Sequence, residues 1–362
     1  MSQEIILSSN PEKKTFPGLS PLAFEHPLDA AALVALKKIP GIDQILRFVF
    51  RVIHEKRSRL HFLSSSVRVN ERQFKHIYAL YQEACEILDL EREPELFIAQ
   101  DPAANAFAFG VDEPFIVLNS SLLDLMTPEE VQVVLAHELG HVFAGHMLYH
   151  SVLIVIWNLV QMGGFGIPFG VFGLQAFLVA LHEWFRKSEL TCDRAGLLVS
   201  QDIDTSLRVN MKLAGGRLVE HMDKNEFFKQ ADEYENQGDI LDSFFKLMNN
   251  AYTTHPHVVA RMTELQKWHD TGNYKDILAG NYRKRADDRD AALTDQWKEA
   301  AESYKKDMDE SDDYFSKAMS GLSDVGENLV NAGSELFSKF FGGGRKKDDS
   351  KDDKNDKDEP SK

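Results

Sequence analysis

Two histidines one helical turn apart set the tightest condition on how this chain folds, because they ask for a partner from elsewhere in it. They lie in Thr127–Tyr149, TPEEVQVVLAHELGHVFAGHMLY. Thr127 followed by Pro128 and, at the third helical position, Glu130 reads as a helix start with a hydroxyl N-cap and a capping box. Val131, Val134, Leu135, Leu139 and Val142 then keep a helical period, so one side of the helix is expected against a core. Within it His137, Glu138 and His141 spell His-Glu-x-x-His. Residues four apart stack on one helix face, so two imidazoles can reach one tetrahedral Zn²⁺, while Glu138 stands beside them as a base for the attacking water. The uncharged flanks, Val134-Leu135-Ala136 and Val142-Phe143, disfavour an exposed helix with unrelated polar residues.

A catalytic zinc site takes a third protein ligand. The extended His-Glu-x-x-His-x-x-Gly-x-x-His pattern fails, since Ala144 and Met147 stand where Gly and His are needed. His146 lies about 140° around an ideal helix from His141, and His150 repeats that other face; both read as partly buried or surface histidines. The better source is the segment from Arg186 to Gly196. There Glu189 and Asp193 share a helix face, so Glu189 can ligate while Asp193 accepts the spare N–H of a ligand histidine, His137 being the expected one.

With these motifs in view the sequence resembles the HtpX-like and CAAX-prenyl-protease-like zinc metallopeptidases, which are gluzincins, over about residues 96–261. Asn105, Ala106, Phe107 and Ala108 are similar to that family's N-A-F-A edge strand, and Glu189 and Asp193 to its E-x-x-A-D element, with Cys192 in place of alanine. Thr254-His255-Pro256 with Arg261 is similar to its S-T-H-P…R element. The resemblance implies one Zn²⁺ per chain held by His137, His141 and Glu189, with Glu138 as the base and Asp193 behind a ligand histidine. For His255 three readings stand: an oxyanion stabiliser opposite the base, a resting occupant of the open zinc position, or a cap for the next helix.

Residues 28–38 and 41–55 read as helices, with a basic cluster of Arg47, Arg51, Lys56, Arg57 and Arg59 that is either a solvated face or a contact for anionic lipid. A helix is expected over about 70–89, with Phe74, Ile77, Tyr81, Ala84 and Leu88 inward. Leu96–Ala99, Ala106–Phe109 and Phe115–Leu118 read as a small sheet. If Asn105–Ala108 lies at its edge, an extended peptide can add there as a further strand; an interior strand is the alternative. Helices are also expected over 201–218 and 240–247.

Met147–Leu181 contains no Asp, Glu, Lys or Arg. His141 and Glu189 must meet on one side of any bilayer, so crossings number zero or two. Two spans need about 40 apolar residues plus a turn, and Gly163-Gly164 and Pro168 break the run. A helical hairpin that dips into a membrane surface or packs on the protein is therefore expected, with a short two-span hairpin as competitor. The N-terminus shows no apolar leader, so the chain is expected on the cytoplasmic side, in contact with a membrane through 147–181 if at all. Two cysteines imply no disulfide framework, and a net charge of −16 argues against nucleic-acid binding.

The expected architecture is α+β and mostly helical: a zincin-type core with a small mixed sheet beside the His-Glu-x-x-His helix, plus the apolar hairpin. Residues 1–69 form an N-terminal helical segment, 70–285 the core, 286–341 an acidic and amphipathic extension, and 342–362 a charged low-complexity tail. The function expected is zinc-dependent hydrolysis of peptide bonds in proteins or peptides. The alternatives are a non-catalytic zinc-stabilised scaffold and a CAAX-type processing peptidase. Substrate preference and oligomeric state have no signature in the sequence.

Overall fold

A computed structural model describes residues 13–27, 29, 56–147, 171–236 and 258–289. Its sheet has four short strands: β1 (Val67–Arg68), β2 (Glu95–Ala99), β3 (Ala106–Phe109) and β4 (Phe115–Asn119), in the order β1-β2-β4-β3. β2 and β4 run parallel, while β1 and β3 flank them antiparallel. Side chains alternate across the pleat. Leu96, Ile98, Ile116 and Leu118 face the main core, and Phe97, Phe115 and Val117 face a second cluster closed by Phe62 of helix α1 (Lys56–Ser65). The three strands read from sequence stand within a residue of their expected ends; the two-residue β1 carries too little pattern to be read.

Under the main face lie α2 (Lys75–Leu88) and, after the short α3 (Ser120–Leu125), the helix α4 (Pro128–Phe143). Ile77, Tyr81, Ala84 and Leu88 are buried as expected. Phe74 is not: Asn70 Oδ1 takes the N–H groups of Arg72 and Gln73, a turn forms, and Phe74 is left exposed ahead of the helix in a left-handed conformation. Helix α5 (Val171–Ser200) packs against α4, and α6 (Ile203–Gly215), α7 (Lys224–Asn236), α8 (Val258–Asp270) and α9 (Gly272–Leu278) complete the helical layer. The helix expected over 201–218 is α6, started by Asp202 and stopped at Gly216, whose φ is 79°.

An N-terminal strap crosses this layer. Phe16, Leu19 and Phe24 are buried in it; Phe16 N donates to Ile87 O, and Arg194 Nη1 donates to the carbonyls of Phe24 and Glu25. The helices expected over 28–38, 41–55 and 240–247 lie outside the described residues, apart from residue 29, as do 148–170 and the stretches after 289. No helix among the described residues is long and apolar enough to cross a membrane.

Candidate metal centre

The start of α4 is fixed twice. Thr127 and Glu130 form the reciprocal capping box, and the buried Glu130 carboxylate also takes Arg208 Nε at 3.0 Å and Lys212 Nζ at 2.6 Å, tying α4 to α6. Further along, α4 and α5 approach so closely that a Cβ on Gly140 would stand 3.0 Å from Ala195 Cβ and 3.1 Å from Cys192 Cα. This approach brings Glu189 opposite the two histidines.

His137 Nε2 lies 3.4 Å from one Glu189 oxygen and His141 Nε2 3.1 Å from the other. His137 Nδ1 meets Asp193 Oδ1 at 3.0 Å. Arg261, from α8, donates through Nη1 to Glu189 Oε2 at 2.8 Å and through Nε to Asp193 Oδ2 at 2.7 Å. His137, Glu138, His141, Glu189, Asp193 and Arg261 are all buried. Burial alone would depress His137, but the carboxylates of Asp193 and Glu189 outweigh it and lift the ring to about 9. At His141 burial wins over Glu189 and pushes the ring down to about 3. Burial would raise Asp193, yet Arg261 holds it below the usual carboxylate range.

Beside Glu138 opens a cavity of about 420 Å³ that reaches Asn105 and Ala106 at the start of β3; Val134, Val209 and Leu213 give it apolar walls, and Ser206, Asn210 and Arg261 polar ones. β3 is the outer strand of the described sheet, so the edge reading of Ala106–Ala108 stands over the interior one. His255 lies outside the described residues.

Comparison with known proteins decides the class. The family described as Peptidase family M48 matches residues 71–269, more than half of the chain. The chain belongs to peptidase family M48. Among relatives, this M48 chain is 34% identical to the plastoglobule-localized metallopeptidase 48, chloroplastic, of Arabidopsis thaliana, over 72% of the chain and 76% of that protein. It is 23% identical to the protease HtpX homolog 2 of Methanosarcina acetivorans (55% and 74% covered) and 28% identical to the protease HtpX of Chromohalobacter salexigens (48% and 65% covered). No solved structure matches. The M48 chain is thus a metallopeptidase with a His137/His141 site, not a scaffold, and its family implies zinc.

The M48 site contains residues that sequence reasoning passed over. The sequence places Arg261 in a motif and gives it no role. His146 corrects the expectation of a partly buried or surface histidine: it is 1% exposed and its Nδ1 meets His141 Nδ1 at 3.2 Å. On an ideal helix His146 stands away from His141, but α4 ends at Phe143. Gly145 takes φ 73°, Gly145 N donates to Val142 O and His146 N to His141 O, so a Schellman turn folds His146 back. Gly145 was the available signal. Behind His146 stands Asp29, fully buried, which also accepts from Trp184 Nε1 and Thr191 Oγ1. Burial would raise its carboxyl; His146, Thr191 and Trp184 hold it low. No local pattern pointed to Asp29.

Proposed function

We propose that this M48 metallopeptidase is a zinc-dependent endopeptidase in which His137, His141 and Glu189 hold the ion, Glu138 moves the proton and Asp193 orients His137. The observation that carries the reading is the pair of contacts from Glu189 to the two Nε2 atoms. Nitrogen and oxygen ligands about 2.0–2.1 Å from a tetrahedral zinc stand roughly 3.3 Å apart; here His137 Nε2 is 3.4 Å from Glu189 Oε2 and His141 Nε2 is 3.1 Å from Glu189 Oε1. Two neutral imidazoles and one carboxylate are a donor set that suits zinc.

When bound, zinc would polarise the scissile carbonyl and make water nucleophilic near neutral pH. Glu138 takes the proton of the attacking water and returns it to the leaving amine. Asp193 keeps the His137 proton on Nδ1, so that Nε2 offers its lone pair. Arg261 balances the buried charges of Glu189 and Asp193 and fixes both carboxylates. The substrate lies along Asn105–Ala108, a placement supported by the cavity that joins Asn105 and Ala106 to Glu138.

Cys192 offers a second reading, since its sulfur and the nitrogens of His137 and His141 lie within 4.8 Å of one another. Two observations disfavour it. Sγ leans on His146 Nδ1 at 3.6 Å, on the Nδ1 side of His141. Burial, and then the charges of Glu189, Asp29, Glu138 and Asp193, keep the thiol well above its ordinary range.

Zinc content and casein cleavage of purified variants test these assignments. Glu138→Gln should keep one zinc per chain and lose cleavage by about 10²-fold or more. Glu189→Ala should lose both, and Cys192→Ala neither. A Glu138→Gln protein that cleaves at the wild-type rate, or a Glu189→Ala protein with full zinc, overturns the reading.

A further inference from the structure

Each of the two histidines presents Nδ1 to a different partner. His137 Nδ1 meets the Asp193 carboxylate directly, whereas His141 Nδ1 meets another imidazole nitrogen, His146 Nδ1, at 3.2 Å. Two nitrogens in hydrogen-bond contact share one proton, so one ring donates and the other accepts. If His141 gives its Nε2 lone pair to a cation, the neutral ring carries its proton on Nδ1. His146 Nδ1 must then accept, and its own proton sits on Nε2. That atom stands 2.9 Å from Asp29 Oδ2, an acceptor of the required kind, at ion-pair distance though outside hydrogen-bond geometry.

We propose that Asp29, acting through His146, is the positioning carboxylate for His141, as Asp193 is for His137, so that the N-terminal strap completes the metal site. This rests on the assignment of His141 as a zinc ligand. Asp29 lies well before residue 71, where the region matched by the family begins. The relay is closed to solvent: Asp29 and His146 are at 0% and 1% exposure. Trp184 Nε1 at 2.9 Å and Thr191 Oγ1 at 2.6 Å hold the Asp29 carboxylate, and the Trp184 ring stands edge-on to His146. The strap is fastened by the His26 N–H, which donates to the same Thr191 Oγ1 at 3.0 Å, and by Arg194 on the carbonyls of Phe24 and Glu25. A carboxylate behind a ligand imidazole raises its basicity and fixes its ring, and losing one typically costs 10–100-fold in metal affinity.

Zinc affinity of the full-length chain, measured by competition with a chromophoric chelator, tests this. Asp29→Asn and His146→Asn should each weaken zinc binding about 10- to 100-fold, and the double variant should bind no more weakly than His146→Asn alone, because the two residues act in series. A carboxylate that served only the fold would lower the urea midpoint and leave the affinity of the folded protein unchanged. Wild-type affinity in Asp29→Asn, or losses that multiply in the double variant, overturns the relay. If Asp29→Asn does not fold, His146→Asn decides alone, wild-type affinity again being the contrary result. His141→Asn is the reference: if it also binds zinc like the wild type, the ligand assignment has failed rather than the relay.

Discussion

Arg261 donates to both carboxylates that flank the histidines, from a helix 68 residues beyond Asp193. Its partners could not be read from spacing, because nothing periodic links α8 to α5; the ligand residues themselves were legible because a helix turn fixes their separations in advance. Glu264, three residues on, is the same kind of long-range pairing in milder form. His26 and then Lys267 hold its carboxyl down to about 2, against partial desolvation. A carboxyl lowered in the folded state stabilises fully above its unfolded value and loses that contribution as pH falls through the folded one. Between pH ~4.5 and ~2 the protein should therefore lose stability on the order of 1 kcal/mol from this group, the figure being reduced for solvent screening. Glu264→Gln should flatten that part of the curve of urea midpoint against pH. Parallel curves for variant and wild type across the window would contradict it.

At the level of elements, the α4–α5 contact is set by small residues. Gly140 lies against Ala195 and Cys192, and Gly196 against Val133, whose Cγ1 would be 3.2 Å from an added Cβ. Gly140→Ala puts a methyl where backbone already stands, so the helices must part. Overpacking of this sort costs about 1–3 kcal/mol, and it also separates His141 from Glu189. The expected result is a lower urea midpoint together with weaker zinc binding; a variant that is less stable yet binds zinc as tightly as the wild type would show that the approach serves packing alone. The sequence declared the start of α4 through Thr127 and Glu130, and the inner face of α2 through its apolar period. It misled about the end of α4, where periodicity was extended past a glycine that reverses the chain. The strap was illegible, since Pro17, Gly18 and Pro21 interrupt any regular element that its buried Phe16, Leu19 and Phe24 could have announced.

Over the whole molecule, the long uncharged stretch and the metal centre prove to be less separate than their sequence suggests. Its last residues belong to α5, the same unbroken helix that carries Glu189 and Asp193. Contact of this stretch with a membrane surface is a proposal that flotation with anionic liposomes tests. The full-length chain should float, and a version lacking residues 151–168, which leaves α5 whole, should stay at the bottom of the gradient. Equal flotation of both would move the contact elsewhere. The continuity of α5 has a further geometric meaning. From residue 171 to Glu189 the helix rises about 27 Å. If flotation places its first turn at a surface, that rise would set how far the metal centre stands from it.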